Sequence, residues 1–493
     1  MDRLSELPDS VIFHIFWFLP MREVVRTTIL SRRWKDLWTT TPFLYFDDFI
    51  EQFDTRDKLR IFVHRVLSRW DGVKILKFKV ELDHEESIHR DVDLWLRFAK
   101  KYGVEELYLH MVIEDRESCL CNDDDIRWLP QFLYSCSSLK VLSIENCYFR
   151  FKGNVHWNHL KSLTIINGFG VTEDVINQIF CGSPQLEVLI MTFIDSRFEN
   201  FSIRSTSLKK LSINKHFYDD YEDPSPYTTE LRIWTPNLKT LEMKGIPYGK
   251  CLLMNVSSLN HATLGYPNLH HLDERCFNDP SEYNSSLLPT NQFLGYLFGQ
   301  ILPSIQHVEN ITLSSCCVKV LDIMKMKHMH SSFPNIKSLD LRCCLYDYKQ
   351  IVGILEIFPQ LERLVLKYNK VDRRRVTNDQ VTSDKESLKF EVNNPESFLL
   401  KLRTVEVTWA EGDGVFSLIE ILLKYATKLE KIGFQVEIKS PNSLLSVSQK
   451  LLRMRGFSIN CTIDLTTCND GSMLEAWELD LPYFRCECVT VLF

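Results

Sequence analysis

With 493 residues, 45% of them hydrophobic and 25% charged, the chain has the balance of a folded protein of several units or one elongated repeat body, not of a disordered or fibrous one. A net charge of -7 excludes the strong basic excess of a nucleic-acid binder, so no polyanion partner is expected. No apolar run approaches the ~20 residues that cross a bilayer, and the opening Met1-Asp2-Arg3-Leu4-Ser5-Glu6 is not a secretory signal, so the expected setting is the cytoplasm or nucleus, away from membranes.

In such a compartment the 15 cysteines are free thiols by default. They include no Cys-x-x-Cys, only Cys119-Leu120-Cys121, Cys486-Glu487-Cys488 and the adjacent pairs at 316 and 343, so structural zinc has no spacing support.

Residues 7 to 38 predict three short amphipathic helices. Pro8 suits a first helical position and Asp9 the positive end of the helix dipole; Pro20 stops the helix. Val11, Ile12, Ile15, Phe16 and Leu19 form one apolar stripe, with Phe13 and Trp17 on the other side, the pattern of a helix covered from two directions. Met21, Val24, Val25 and Ile29 mark the second helix; Leu30, Trp34, Leu37 and Trp38 mark the third. A unit of about 45 residues buries too little surface to stand alone without a metal, a disulfide or a second protein, and this one has no cysteine. On pattern alone it is either half of an interface or the first helical layer of a larger core.

Leu59, Ile61, Phe62, Val66, Leu67 and Trp70 predict a helix over residues 58 to 70. A repeat of the form L-x-x-L-x-L follows. It reads Val73/Leu76/Phe78, Val104/Leu107/Leu109, Leu139/Leu142/Ile144, Leu160/Leu163/Ile165, Leu186/Leu189/Met191, Leu208/Leu211/Ile213 and Leu238/Leu241/Met243. It continues as Leu259/Ala262/Leu264, Val308/Ile311/Leu313, Ile336/Leu339/Leu341, Leu361/Leu364/Leu366, Leu402/Val405/Val407 and Leu429/Ile432/Phe434. First residues often lie 21 to 31 apart, the length of one strand plus a return segment. Strands that recur once per crossover must run parallel with right-handed connections, so the expected fold class is an α/β repeat solenoid, a leucine-rich-repeat horseshoe, behind a small all-α three-helix unit. Cys147, Cys316, Cys344 and Asn369 fall eight residues after a first triad residue, where an inward side chain is expected to bond backbone between turns.

Polar insertions at 114 to 125, 215 to 229, 265 to 292 and 368 to 397 read as solvated loops; Arg373-Arg374-Arg375 is too short to prefer an import signal over an exposed loop. His84-Glu85-Glu86-Ser87-Ile88-His89 sets its histidines five apart, where a zinc helix needs four. No nucleophile elbow, phosphate loop or dinucleotide fingerprint is present, so no catalysis, metal or cofactor is expected and function has to be binding.

The amino-terminal stretch resembles a plant F-box: Leu7-Pro8-Asp9, Ile15 to Pro20 and Leu30 to Trp38 match its opening, helix end and Leu-Ser-x-Arg-Trp-x-x-Leu-Trp close, with Phe16 and Trp17 bulkier than the pattern. The resemblance implies docking on the Skp-type adaptor of a cullin-based ubiquitin ligase through Leu7, Pro8, Ile12, Ile15, Leu19, Val25, Leu30, Trp34 and Leu37. Residues Leu402 to Leu465 resemble the plant FBD module and read strand, helix, strand, helix, strand. The expected domains are therefore 1-45 F-box, 58-385 leucine-rich repeats, 386-465 an FBD-like region continuing them, and 466-493 an unassigned tail whose end, Val489 to Phe493, either adds a strand or is loose.

The expected role is the substrate-recognition subunit of an SCF-type ligase, holding an unknown target protein on the strand faces, where Glu242, Lys244, Asp340, Arg342, Arg363 and Lys367 are candidates. A receptor for a hormone or inositol phosphate on the same scaffold, or an interaction scaffold that degrades nothing, are the alternatives.

Overall fold

The computed structural model describes residues 4, 6–47, 56–83, 88–112, 127–150, 152–193, 200–215, 230–244, 250–265, 299–314, 317, 318, 321, 333–343, 348–368, 399–409, 414–437, 441–454, 461–468 and 488–492. Cys316, Cys344, Asn369, His84, the Arg373 tract and nearly all of the polar insertions lie outside them. The described chain divides into two compact units, Met1–Leu238 with Pro247–Asn255, and Lys239–Ile246 with Val256–Phe493.

The first unit opens with helices α1 (Asp9–Trp17), α2 (Met21–Arg26) and α3 (Arg32–Leu37), with 3-10 turns at Thr27–Ile29 and Trp38–Thr40. Helices α4 (Arg56–Arg69) and α5 (His89–Lys101) follow in turn, α5 closing at Gly103, whose φ of +63° is open to glycine without a steric cost. A parallel ladder joins β1 (Phe43–Asp47), β2 (Lys77–Asp83), β3 (Glu106–Val112), β4 (Val141–Glu145), β5 (Ser162–Ile166), β6 (Val188–Phe193) and β7 (Lys210–Lys215) in that order.

Alternation explains the ladder. Leu44 and Phe46, Phe78 and Val80, Leu107 and Leu109, Leu142 and Ile144 and their successors are buried, while the residues between them face outward. The register places these apolar pairs side by side, Phe46 against Val80 and Val80 against Leu109, so each strand supplies one layer of a continuous core.

Three expectations change here. The ladder begins one strand earlier than the first triad: β1 has no L-x-x-L lead, and only its Leu44/Phe46 alternation marks it. Val73, read as a first triad residue, is exposed, and Ile75 is buried in its place. The return segments are also not all helical. Helix α6 (Glu173–Gly182) fits, capped by the Thr172 hydroxyl accepting from the Val175 N–H, but Phe201–Arg204, Glu230–Trp234 and Lys250–Met254 form a second, three-stranded parallel sheet. Their buried pairs Phe201/Ile203, Leu231/Ile233 and Cys251/Leu253 have the two-residue period of a strand.

The inward polar ladder sits one residue before the expected offset. Asn146 and Asn167 follow β4 and β5 with φ of 53° and 48°, a region asparagine tolerates better than other side chains. The Asn167 Nδ2 donates to Asn146 Oδ1 at 2.5 Å, and the Asn146 Nδ2 donates to the Met111 carbonyl. Cys147 is buried beside them, with its thiol on the Glu145 carbonyl.

In the second unit the ladder runs β8 (Thr240–Lys244), β9 (His261–Gly265), β10 (Asn310–Ser314), β11 (Ser338–Cys343), β12 (Arg363–Tyr368), β13 (Thr404–Trp409), β14 (Lys431–Glu437) and β15 (Thr462–Cys468), all parallel. Helices α7 (Tyr348–Leu355), α8 (Gly414–Tyr425) and α9 (Pro441–Met454) lie between strands. The region from Leu402 has the expected strand, helix, strand, helix, strand order, and the tail does add a strand: β16 (Cys488–Leu492) pairs antiparallel with β15. In both units an exposed charge one residue after the first triad position meets its opposite on the next strand, as in Lys140–Glu105 at 2.7 Å, Lys209–Glu187 at 2.8 Å and Lys337–Glu309 at 2.6 Å. Each such surface pair contributes about 0 to 1 kcal/mol, so they favour this register more than they stabilise it.

Candidate functional site

The amino-terminal helices build a small core with an apolar exterior. Ile12 and Phe16 of α1 are buried with Met21 and Val24 of α2 and with Trp34 and Trp38, Phe16 and Trp34 meeting edge to face at 5.7 Å. Asp9 and Arg33 form an ion pair between α1 and α3. Trp17 leaves α1 on another side, its ring 4.7 Å from Phe43 of β1 and 4.3 Å beneath the Lys77 ammonium of β2. One flank of α1 is thereby held against the strand ladder, as the doubly apolar helix pattern requires.

What remains is exposed and greasy. Ile29 is 86% exposed, Phe18 60%, Leu4 52%, Leu30 47% and Val11 41%. Scattered apolar residues are ordinary on a surface; several from one 30-residue unit invite a partner. Of the expected adaptor-contact residues, Pro8 and Leu30 are exposed, and Leu7, Ile15, Leu19, Val25 and Leu37 are half-buried. Ile12 and Trp34 are a correction: they are 0% and 2% exposed, so they hold the unit together and present no surface to a second protein. Sequence reasoning assigned Val11 and Ile29 to inward stripes and passed over Leu4 and Phe18. For Ile29 the cause is the 3-10 turn at Thr27–Ile29, whose three residues per turn rotate it away from the 3.6-residue stripe of α2.

The strand-face candidates divide into two groups. Arg342 and Lys367 are register partners on β11 and β12, with Asp340 and Arg363 on the same two strands. Glu242 and Lys244 lie on β8, with β9 and β10 intervening, roughly 14 Å away at the usual strand spacing. The charges of Glu242, Lys244, Asp340, Arg363 and Lys367 are matched within the chain. Lys367 meets Asp340 at 2.8 Å, Arg363 makes two bonds to Glu406 at 2.8 and 3.2 Å, and Lys244 pairs with Glu242. A face so neutralised is poorly suited to a polyphosphate, which needs cations left over.

A polar cluster on β1 to β4 was not singled out from the sequence. The register aligns Asp47, Glu81, His110 and Glu145 in one row and Tyr45, Lys79, Tyr108 and Ser143 in the next. Glu81 accepts from the Tyr45 hydroxyl at 2.9 Å and from the Lys79 ammonium at 2.6 Å; burial works to raise its carboxyl, and these two donors hold it below the usual value. Burial presses His110 down to about 4, leaving a neutral ring bonded to the Ser143 hydroxyl at 2.9 Å. Burial and then the Glu81 charge push Glu145 up to about 7. The only signal for this cluster was that outward positions of four successive strands all carry titratable or hydroxyl groups. Among the described residues no group of three or more His, Cys, Asp or Glu is placed to hold a metal, and no helix is long and apolar enough to cross a membrane.

Comparison with known proteins agrees with this layout. Residues 4–46 match the F-box domain family, and residues 92–225 match the family described as FBD-associated F-box protein At5g56370, LRR repeats. In Arabidopsis thaliana, the F-box/LRR-repeat protein At3g03360 is 26% identical over 391 residues, spanning 74% of this chain and 70% of that protein. The F-box/LRR-repeat protein At3g58930 is 28% identical over 386 residues, 74% and 77% of the two chains. The F-box/FBD/LRR-repeat protein At1g13780 is 26% identical over 422 residues, 84% and 86%. An amino-terminal helical unit matching the F-box, a parallel ladder whose early strands match the leucine-rich-repeat family, and relatives named for the same two modules support a plant F-box/leucine-rich-repeat protein.

Proposed function

We propose that this protein is the substrate-recognition subunit of an SCF-type ubiquitin ligase. In this reading α1 to α3 are the three-helix F-box and dock on a Skp-type adaptor, and through it on a cullin, while the ladder is a leucine-rich-repeat horseshoe that holds a target protein. The observation that carries it is the exposed set Phe18, Ile29 and Leu30 on a unit whose core residues and Trp17 flank are already covered. Burying those three side chains against a partner would gain about 1.5 to 3 kcal/mol each at full burial. The chain supplies proximity, bringing a target to a ubiquitin-loaded enzyme carried elsewhere, and no catalytic residue of its own. A cytoplasmic or nuclear residence belongs to the same proposal.

Affinity purification of the full chain with the proteasome blocked tests it. The expected result is recovery of a Skp-type adaptor and a cullin together with proteins that accumulate only under the block. Recovery of neither adaptor nor cullin overturns the reading.

A further inference from the structure

Among the described residues the polar cluster on β1 to β4 holds more carboxylates than ammonium groups. Asp47, Glu81 and Glu145 share one row, with His110 between the last two. Lys79 is committed to Glu81, and Lys77, two rows from the carboxylates, lies over the rings of Trp17 and Tyr108 at 4.3 and 5.6 Å. His110 supplies no second cation, because its buried ring is neutral; its Nδ1 stands 3.9 Å from the Glu145 carboxylate. Among the described residues Glu145 therefore has the His110 imidazole and a repelling Glu81 beside it, feels the Lys79 ammonium only as the cation already paired with Glu81, and makes no ion pair with an ammonium or guanidinium of its own.

The neighbouring strands change character. The register sets Ile166 of β5 directly beside Glu145, and Ile190 of β6 beside Thr164, both half-exposed on the same outward face. A carboxylate short of a cation thus borders an apolar shelf.

We propose that this face is a recognition site for a lysine or arginine side chain of a bound protein, its charged end on Glu145 and an adjoining apolar side chain on Ile166 and Ile190. The proposal rests on reading the repeat ladder as the target-holding surface and names the chemistry of what it holds. It also makes capture depend on pH. The charged and titratable groups facing Glu145 and its row are Tyr45 and Asp47 from β1, Lys77, Lys79 and Glu81 from β2, Glu106, Tyr108 and His110 from β3, and Glu23 of α2 toward Asp47. Burial keeps both tyrosines and His110 uncharged from pH 6 to 8. Glu145, with its pKa of about 7, goes from about one-tenth to about nine-tenths ionised over that interval.

The test uses the full chain, immobilised, and nine-residue peptides with central lysine, arginine, norleucine or glutamate and all other positions randomised. At pH 8 the lysine and arginine peptides are expected to be retained about tenfold over norleucine, an advantage that falls about tenfold at pH 6. Glu145→Gln should bring the ratio to one at both pH values, while Glu430→Gln, an equal change in net charge at the residue before β14, should leave it intact. Equal retention of norleucine peptides by the wild type, or an undiminished ratio in Glu145→Gln, overturns the proposal. A Skp-type adaptor is titrated onto the same preparations. Adaptor binding without basic-peptide enrichment sinks this inference alone, and enrichment without adaptor binding sinks the ligase reading alone.

Discussion

Trp17→Ala removes one contact between the amino-terminal helices and the repeat ladder. The half-buried indole gives up an edge-on contact with Phe43 at 4.7 Å and a cation above its face at 4.3 Å. About half of a tryptophan's ~200 Å² withdrawn from water is worth about 2.5 kcal/mol, and the ring geometry and Lys77 add about 1 kcal/mol between them, so opening of the joint should become easier by about 3.5 kcal/mol. Hydrogen exchange of peptides from α1 and β1, followed by mass spectrometry on the full chain, reads this directly. The expected acceleration is roughly 400-fold in those peptides and none in β12 to β14, since local opening and global stability are separable in repeat arrays. Trp17→Phe should recover most of the protection. An acceleration below threefold in α1 and β1 would refute the idea that this side chain fixes the F-box on the ladder.

The asparagine ladder makes a second, two-part prediction. Asn167→Ala leaves the Asn146 carbonyl oxygen without its donor and places a Cβ-bearing, non-bonding residue at φ 48°, which together should cost about 2 to 4 kcal/mol; Asn167→Gly relieves the backbone part and should be about 1 kcal/mol less harmful, as urea melts of the full chain would show. The buried cluster predicts opposed pH effects. The Glu145 pKa is raised from 4.5 to about 7, so the folded chain holds a proton the unfolded chain has lost, and stability from this group falls as pH climbs from 4.5 to 7. The His110 pKa is lowered from 6.5 to about 4, so the unfolded chain holds the extra proton, and its effect on stability rises with pH from 4 to 6.5. The two should largely cancel between pH 4.5 and 6.5; relative to wild type, Glu145→Gln should gain stability with rising pH there and His110→Asn should lose it. Thermal melts at pH 5 and 6.5 that show the same slope for both variants contradict this assignment.

The repeat architecture was legible in the sequence because one-sided burial in a strand writes itself as alternation, and the pairs Leu107/Leu109, Leu142/Ile144 and Leu364/Leu366 are buried as that pattern demands. Strand β1 was missed because the repeat's lead residue belongs to the preceding connection, and β1 is entered from the helical unit instead. The return strands at 201–204, 230–234 and 250–254 were missed because a four- or five-residue alternation is too short to stand out between polar insertions. On the F-box, periodicity located the helices but could not say which half of an apolar residue set turns inward. Ile12 and Val11 are neighbours of equal hydrophobicity; only the packing of Phe16 on Trp34 decides that Ile12 is core and Val11 surface. The Glu145 cluster needed the register, since its members come from strands about 30 residues apart in sequence and meet only when the ladder is aligned.

The central claim is that the exposed apolar face of the amino-terminal helices is one half of an interface. Binding of the purified full chain to a purified Skp-type adaptor by isothermal calorimetry tests it most directly, with wild type compared against a Phe18→Ser, Ile29→Ser, Leu30→Ser variant whose buried core is untouched. The account predicts a one-to-one complex for the wild type and a loss of at least about 100-fold in affinity for the variant, the equivalent of about 2.7 kcal/mol, with an unchanged melting temperature. Equal affinity of the two, or no complex with the wild type, would contradict it.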